Sequence, residues 1–568
     1  MASAEATVEE LVGMIQRGEL RLPEMQRQYV WKKTRVRDLL DSLYREYPSG
    51  TILVWDTETV VPERGFGVTQ EKSAFASSTR LLLDGQQRLT SLSAVLRGEP
   101  VTVRGNKKPI EILFNLEHPD APAFVTEVDE DDDEDDDEEG DGEETPDATK
   151  DELQERFERM AFVVGTKKLE QLPHWVKVSD VFRSDGDAEF LARSGVEKVT
   201  DARYKKYSER LAKLRRIRKY VYRMDVLPRT LSYEEVTEIF VRVNSLGAKL
   251  RSSDLALAQI TARWPGSLAT FLEFQRTCDD KGFPLDLGVH LKNLVAVGSG
   301  QSRFRTVGAM SVETLKASWA AAVPAMEYAL NFLKNNAGIG SPALLASPFL
   351  LVALGYFGHK RGYAVSASDA EDLRRWVLVA NAKGRYSRGS TESFLDQDLT
   401  LIKEGGGPKE LLDRLRLQVG RLDIAPEELE GRNRRSALFK TMFLAFRAAG
   451  AQDWSSNIGI ALDHKGNQHK LQFHHLFPKA VLRKHYGARE ADDIANLAFI
   501  GGKTNRQISD REPAKYFPEV FAKSTSSAFD AQCIPTDSAL LSVSAYRDFL
   551  AERRARIAAR LNAFLGVP

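Results

Sequence analysis

Residues 81–92 read LLLDGQQRLTSL, and this stretch decides the fold of the N-terminal part of the chain. The three leucines predict a buried strand, Asp84-Gly85 predicts a tight turn, and apolar residues that recur at helical spacing from Leu89 to Leu96 predict a helix. Upstream, a predicted helix over 36–47 ends at Pro48-Ser49-Gly50, before the strand-like run 51–55. Runs at 110–114 and 178–182 predict further strands, so we expect a mixed α/β architecture here.

The polar residues after the turn are candidates for binding an anion. The opening of the predicted helix carries Asp84, Gln86, Gln87 and Arg88. Free backbone N–H groups and an arginine fork at such a position suit a phosphate. An ordinary helix N-cap with solvent-facing amides explains the same residues, and no glycine-rich phosphate loop decides between the two interpretations.

A second group of polar residues lies near the C-terminus, where five of the nine histidines fall between positions 464 and 485. Residues 458–462 and 471–475 predict a hairpin that ends in the adjacent pair His474-His475. Residues 498–500 predict a further strand, Gly501-Gly502 predicts a turn, and Asn505 is expected in the first turn of the next helix. We therefore expect Asn505 to lie near the histidine pair.

This arrangement has the residue types that hydrolysis of a phosphodiester with one metal ion requires. His475 is the expected general base, because a neutral imidazole can take a proton from water. His474 and Asn505 offer neutral nitrogen and oxygen ligands to Mg²⁺ or Mn²⁺, and Asn496 is expected to orient the His475 ring. The alternative interpretation is a polar histidine pair in a loop with ordinary helix-capping asparagines.

The net charge of −1 hides a segregation of charge along the 568 residues. Between Glu127 and Glu144, 15 of 18 residues are acidic, which predicts a disordered insertion over 127–149. A DNA mimic that covers the protein's own basic surface is the alternative interpretation. Residues 203–223 contain ten Lys or Arg, and residues 431–568 contain 21 basic against 12 acidic side chains. Both regions suit a polyanion, although an amphipathic surface helix also explains the first.

Length and composition bound the remaining expectations. Two separated cysteines, Cys278 and Cys533, indicate a reducing, cytoplasmic compartment, and no secretory signal opens the sequence. An uncharged apolar run over 335–358 has the length of a membrane span, but its prolines and glycines favour a buried helix pair and hence no membrane partner. We expect an α+β multidomain protein divided into 1–256, a helical connector over 257–430, and 431–568.

The two groups of motifs together resemble one family. The sequences LPEMQRQYVW at 22–31, LDGQQRLTSL at 83–92 and FVRVNSLG at 240–247, with Leu250 and Asp254 after them, resemble the N-terminal domain of GmrSD-type restriction proteins, a ParB-like nucleotide-binding fold. The order His-His, Asn, Asn in FHHLFP and the residues after it is similar to the HNH nucleases and their ββα-metal fold. The first histidine position is more often acidic in that group, so His474 departs from the pattern.

The resemblance implies an NTP-dependent, modification-sensing DNA endonuclease or nickase of anti-phage defence, in a family that includes phosphorothioate-linked proteins. Expected partners are DNA, a nucleotide, a second copy of the chain and proteins of a DNA-modification system. A catalytically inactive DNA-binding regulator or scaffold, or an RNase acting in abortive infection, is the alternative. The residues implied for nucleotide binding are Asp84, Gln86, Gln87, Arg88, Gln26 and Arg27, and those implied for DNA binding or sensing are Tyr29, Lys503 and Arg506.

Overall fold

The computed structural model describes residues 2–58, 60–71, 79–103, 106–119, 157–196, 198–246, 251–464, 470–523 and 526–567. The chain divides into two compact units, Met1–Leu268 and Ala269–Pro568. The predicted acidic insertion over 127–149 lies outside the described residues, as do Gly247 and Leu250 of the third motif. The predicted division into three parts stays a prediction, because the helical connector and the C-terminal part share the second unit.

A mixed sheet forms the centre of the first unit. The strands of this unit are β1 (Ala2–Thr7), β2 (Leu20–Pro23), β3 (Ile52–Thr57), β4 (Glu63–Arg64), β5 (Thr79–Asp84), β6 (Val101–Val103), β7 (Asn106–Lys108), β8 (Ile112–Asn115), β9 (Phe162–Val164), β10 (Trp175–Lys177) and β11 (Val221–Leu227). The main sheet has the order β1-β11-β3-β5-β2-β4. In it β11 is parallel to β3 and β2 is parallel to β5, while the other neighbours are antiparallel. The first strand of this unit in the sequence, β1, therefore pairs with its last strand, β11, with Ala2 opposite Val226.

Both faces of this sheet are buried, which explains the unbroken apolar run at its centre. Ile52, Val54 and Leu82 enter one apolar core, whereas Leu53, Leu81 and Leu83 enter another. A strand that is covered on both faces needs apolar residues at every position, so three leucines in a row suit β5. The helices of this part of the chain are α1 (Val8–Gln16), α2 (Lys33–Tyr44), α3 (Gln86–Arg97), α4 (Val178–Arg183), α5 (Ala188–Arg193), α6 (Ala202–Arg215), α7 (Tyr233–Leu246) and α8 (Ser252–Arg263).

The turn between β5 and α3 requires a glycine. Gly85 has a φ of +96°, in the left-handed region. A Cβ atom there would lie 2.5 Å from Cδ1 of Ile52. The predicted strand, turn and helix are therefore confirmed, and so are the predicted helix and strand at α2 and β3.

The strand predicted at 178–182 is wrong, because these residues form helix α4. Val178, Val181 and Phe182 are buried, and their spacing of three and four residues is that of one helix face. The predicted strand at 110–114 is present as β8, which lies between β9 and β10 in a small antiparallel sheet. A short apolar run does not by itself distinguish a strand from a short buried helix.

Helices build most of the rest of the chain. They are α9 (Ser267–Asp280), α10 (Leu287–Ser299), α11 (Val312–Asn335), α12 (Phe349–Lys360), α13 (Ala367–Lys383), α14 (Thr391–Lys403), α15 (Pro408–Val419), α16 (Ala437–Ala448), α17 (Lys479–Leu482), α18 (Ala488–Ala491), α19 (Gly502–Ile508), α20 (Pro513–Lys523), α21 (Ser526–Asp530) and α22 (Tyr546–Leu565). The apolar run at 335–358 contains a 3-10 turn at Pro342–Leu344 before α12. Among the described residues, no helix combines the length and the hydropathy that crossing a membrane demands.

A two-stranded hairpin and a helix close the second unit. Strands β12 (Leu471–His475) and β13 (Leu497–Gly501) are antiparallel, and α19 follows β13 directly. The predicted hairpin between 458–462 and 471–475 is wrong, because 458–462 forms no strand and β12 pairs with β13 instead. Three phenylalanines of α16 pack around Phe499 of β13, at ring distances of 5.0–6.0 Å. Arg553 of α22 is fully buried and donates to the carbonyls of Ala495 and Leu497, so the hairpin is held from both sides.

Candidate active site

The hairpin places the two adjacent histidines in different environments. His474 lies opposite Ala498 and His475 lies opposite Leu497, and neighbouring side chains of a strand point to opposite faces. His474 is 3% exposed, whereas the side chain of His475 is 25% exposed. The buried face of β12 therefore carries one imidazole, and the other is open to solvent and to a substrate.

The buried imidazole of His474 contacts Asn505, as the sequence predicts. Its Nδ1 lies 2.8 Å from Oδ1 of Asn505, and its Nε2 lies 3.3 Å from the Tyr516 hydroxyl. Tyr516 donates its own hydrogen to the carbonyl of Leu476, so its oxygen can accept from Nε2–H of His474 in one tautomer, while Nδ1–H donates to Asn505 in the other. Burial lowers the pKa of His474 to about 4, so the ring is neutral at pH 7 and carries a single N–H.

With the proton on Nδ1, the 2.8 Å contact between Nδ1 of His474 and Oδ1 of Asn505 is an ordinary hydrogen bond, whereas with the proton on Nε2 two lone-pair atoms face each other there. A cation shared by both atoms satisfies this contact, and so does a rotation of the Asn505 amide that turns its Nδ2–H toward the ring. Among the described residues, no group of three or more His, Cys, Asp or Glu could hold a metal ion. His474 and Asn505 would supply one nitrogen and one amide oxygen to a divalent ion, whose other positions would be left for water and for substrate oxygens.

The exposed imidazole of His475 has a carboxylate partner that the sequence did not reveal. Its Nε2 lies 3.2 Å from Oδ1 of Asp492, and Nζ of Lys479 contacts the same oxygen. Burial lowers the pKa of His475, and the charge of Lys479 lowers it further. A neutral ring with one nitrogen bound to a carboxylate leaves the other nitrogen as a proton acceptor. The arrangement can thus serve as a general base.

Asn496 does not contact the His475 ring directly, so its predicted role in orienting that ring, which needs no direct contact, stays a prediction. Its Oδ1 accepts from the backbone N–H of Phe477 at 2.8 Å, and its Nδ2 donates to the carbonyls of Phe477 and Ala491 at 3.0 Å each. Asn496 is fully buried. The side chain therefore ties together two backbone segments, the one after His475 and the one before Asp492.

The helix that carries Asn505 is anchored by another carboxylate missed from the sequence. Asp453 accepts from the Gly501 N–H at 2.7 Å and from the Thr504 hydroxyl at 2.9 Å. On the same helix, Lys503 and Arg506 are exposed and flank Asn505, as contacts with DNA would require.

Three residues of the site were missed from the sequence. Asp492 lies in the adjacent acidic pair Asp492-Asp493, only four residues before Asn496, and this closeness to a predicted site residue could have identified it. Asp453 and Tyr516 carry no such signal, because they are distant in the sequence.

The glutamines of the N-terminal motifs hold one loop in place. Nε2 of Gln26 donates to the carbonyls of Leu82 and Leu83, at 3.1 and 2.6 Å. Nε2 of Gln86 donates to the carbonyl of Arg27 at 2.8 Å, and both ends of the Gln87 amide bind the backbone of residues 28–31. The three amides are buried. The interpretation with solvent-facing amides is therefore wrong, and these groups fasten the loop 24–31 to β5 and α3.

Arg88 and Tyr29 also make contacts within the protein. The Arg88 guanidinium donates to the carbonyls of Ser49 and Thr51 and lies 3.1 Å from Oδ2 of Asp84. The hydroxyl of Tyr29 lies 2.7 Å from Oγ of Ser91, and burial raises the pKa of Tyr29 to about 12. Both side chains thus stabilise the turn and the loop in this structure.

Two other arginines lie near the loop, and one of them contacts a carboxylate. Arg27 lies 3.5 Å from Oδ2 of Asp254, and Arg64 donates to the carbonyl of Gln26 at 2.7 Å. Burial lowers the pKa of Arg64 to about 10, while Asp254 acts in the opposite direction. Two guanidinium groups against one carboxylate leave a positive charge beside the motif, which suits a phosphate. Arg64 was missed because it lies outside all three motifs.

The basic residues around α6 are largely bound within the protein. Arg210 is buried and donates to the carbonyl of Leu116 at 2.6 Å, Arg215 forms an ion pair with Asp187, and Lys206 lies 3.2 Å from Glu117. The apolar face of the helix, with Tyr207, Leu211 and Leu214, is buried. These contacts favour the amphipathic surface helix over a dedicated DNA-binding helix.

Comparison with known proteins supports part of the prediction. Residues 8–261 match the family described as the GmrSD restriction endonuclease N-terminal domain. The uncharacterised protein MJ0686 of Methanocaldococcus jannaschii is 22% identical over 559 residues, which cover 90% of this chain and 86% of that protein. The family match confirms the resemblance of the N-terminal part and indicates a restriction-endonuclease-type defence protein.

Proposed function

We propose that this chain, whose residues 8–261 belong to the family of GmrSD restriction endonuclease N-terminal domains, is a metal-dependent DNA endonuclease or nickase of a defence system. The observation that carries the proposal is the pair of neutral imidazoles on β12. One of them faces Asn505 at 2.8 Å, and the other faces Asp492 at 3.2 Å. Adjacent residues thus supply a ligand and a base at one strand end, in the order expected of an HNH nuclease.

In the proposed reaction His475 takes a proton from the attacking water at Nδ1. Its Nε2–H remains bound to Asp492, which stabilises the imidazolium that forms. His474 and Asn505 would hold Mg²⁺ or Mn²⁺, which supplies positive charge to the phosphate and the leaving oxygen. Lys503 and Arg506 contact the DNA backbone, where exposed basic side chains add affinity that falls with salt.

The N-terminal unit is proposed to bind an NTP and to sense a DNA modification. Arg27 and Arg64 would contact its phosphates beside the first turn of α3, whose backbone N–H groups lack helical partners. Gln26, Gln86, Gln87 and Arg88 support this site by fixing the loop and the turn rather than by binding directly. A ParB-like fold with this role is what the family resemblance implies.

Cleavage of supercoiled plasmid tests the proposal. Wild type and His475→Ala are compared on modified and unmodified DNA, with Mg²⁺, Mn²⁺ or EDTA, and with or without NTP. We expect nicking or linearisation that needs the metal ion and falls by about 10²- to 10⁴-fold in His475→Ala, because that is what loss of a general base costs. Tight DNA binding without cleavage of any substrate would instead support an inactive regulator, and cleavage of RNA alone would support an RNase.

A further inference from the structure

We propose that Asp492 is a positioning residue, which holds the His475 imidazole with its proton on Nε2 and its lone pair on Nδ1. The inference rests on the nuclease function proposed above, because the tautomer matters for cleavage only if His475 is the base. The proposal adds the carboxylate of Asp492, and the residues that hold it in place, to the active site.

The contact between the two side chains selects one tautomer. Oδ1 of Asp492 lies 3.2 Å from Nε2 of His475, and an ionised carboxylate can only accept hydrogen bonds. The ring nitrogen must therefore be the donor. A neutral imidazole has a single N–H, so Nδ1 is left with the lone pair. Within the described residues, no protein group forms a hydrogen bond with Nδ1, which leaves it available to water.

Asp492 is held on several sides. Nζ of Lys479 contacts the same oxygen as His475, so the carboxylate cannot move away from its place without losing both partners. The next residue, Asp493, is fully buried and accepts from the Gly431 N–H at 2.8 Å and from Arg554 at 2.6 Å. These contacts fix the backbone beside Asp492, and an anchored carboxylate can set the direction of a ring.

Asn496 sets the separation between the base and its carboxylate. Its Nδ2 donates to the carbonyl of Phe477, two residues after His475, and to the carbonyl of Ala491, one residue before Asp492. The same side chain therefore fastens both segments that carry the pair. The pair itself is partly exposed, with 25% of the His475 side chain and 41% of the Asp492 side chain accessible. A buried amide thus fixes the geometry of an accessible pair.

The tautomer can be measured on the full chain without DNA or metal. Histidine labelled with ¹⁵N in the ring gives separate signals for protonated and unprotonated nitrogens, and the His475 signals are assigned by their loss in His475→Ala. We expect wild type at pH 7.5 to show a protonated Nε2 and an unprotonated Nδ1. In Asp492→Ala both signals should shift toward values averaged over the two tautomers. A wild type with the proton on Nδ1, or an unchanged tautomer in Asp492→Ala, would overturn the proposal.

Cleavage kinetics supply the second readout. We expect kcat to fall about 10- to 100-fold in Asp492→Ala with KM unchanged, as is typical when a group that orients a reactive residue is removed. Asp492→Asn should lose less, because its amide oxygen still accepts from Nε2–H. Glu490→Gln is the matched control, since it removes one negative charge two residues before Asp492 and Glu490 binds Arg547 instead of His475. Equal losses in Asp492→Ala and Glu490→Gln would mean that charge alone matters and would refute the positioning role.

The two measurements separate this proposal from the proposed function. If Asp492 sets the tautomer but wild type cleaves no DNA, the positioning role stands and the nuclease function fails. If wild type cleaves DNA and Asp492→Ala changes neither the tautomer nor kcat, the nuclease function stands and the positioning role fails.

Discussion

The glutamine-rich turn after β5 and the histidine pair at the end of β12 are both polar sequences at a strand end, but their hydrogen bonds go to different partners. Gln26, Gln86 and Gln87 bind backbone groups of one loop. His474 and His475 bind other side chains, and Nδ1 of each ring is left facing an oxygen or solvent. A motif whose polar atoms bind the backbone acts as a scaffold, whereas one with lone pairs left over can bind a ligand or a proton.

The largest effect should come from Asn496→Ala, which would test whether the histidine region also needs a scaffold. The substitution removes three buried hydrogen bonds and leaves backbone groups of Phe477 and Ala491 without partners, so we expect a loss of about 3 kcal/mol in the free energy of unfolding. Denaturant titration measures this loss. Plasmid cleavage at 20 °C should also fall, because both segments that carry His475 and Asp492 are released.

Asn381→Ala is the matched control for this prediction. Asn381 is buried in the same unit and also binds backbone groups, two where Asn496 binds three: the carbonyl of Leu344 and the N–H of Ala346. It should lose comparable stability but keep its cleavage rate at 20 °C. Equal cleavage losses in the two variants would show that Asn496 acts only through stability.

A smaller effect is expected from Gln87→Ala in the N-terminal motif. The variant loses the contacts with the carbonyl of Gln28 and the N–H groups of Val30 and Trp31, which should cost about 2 kcal/mol of local stability. Hydrogen–deuterium exchange of the peptide covering 24–31 should therefore accelerate, while exposed Gln16→Ala leaves it unchanged. If exchange stays slow and only the affinity for NTP is lost, Gln87 binds the nucleotide directly. The glutamine motif would then not be a scaffold, and the contrast with the histidine pair would fail.

The smallest effect concerns the pH dependence of stability in the histidine region. Burial lowers the pKa of His474 to about 4 from an ordinary 6.5, so the unfolded chain binds the proton more readily than the folded chain. Stability should thus fall as the pH drops through this window, by about 1 kcal/mol between pH 6 and pH 5. Denaturant titrations of metal-free protein measure how the free energy of unfolding changes with pH. In His474→Gln this change between pH 6 and pH 5 should be smaller by about 1 kcal/mol. An identical slope in both proteins would contradict the assigned pKa.

Local patterns predicted those elements whose partners lie nearby in the sequence. The unit of β5, Gly85 and α3 follows from apolar spacing and one glycine, and the approach of Asn505 to His474 follows from a strand, a turn and a helix in succession. The partner of β12 could not be predicted in this way. The run 458–462 is nearer in sequence, but β13 provides the pairing and is packed by the phenylalanines of α16.

The directions of side chains were the least predictable part of both sites. The residues of the glutamine motif were chosen correctly as a group, but nothing local shows that their amides meet the carbonyls of residues 82–83 and 27–28. Tyr516 meets His474 from 42 positions away, so no spacing rule connects the two. Arg27 and Asp254 likewise meet only through the fold of the first unit.

The pairing of β1 with β11 has a consequence for how the chain is made. On the ribosome, Ala2–Thr7 emerges more than two hundred residues before its partner Val221–Leu227. At about 5–20 residues per second this strand waits about 10–40 s before the main sheet can be completed. During that time it exposes unpaired backbone groups of the kind that chaperones cover and that other chains can capture. Slower translation or a heat shock should therefore harm the first unit more than the second, whose hairpin joins strands only about twenty residues apart.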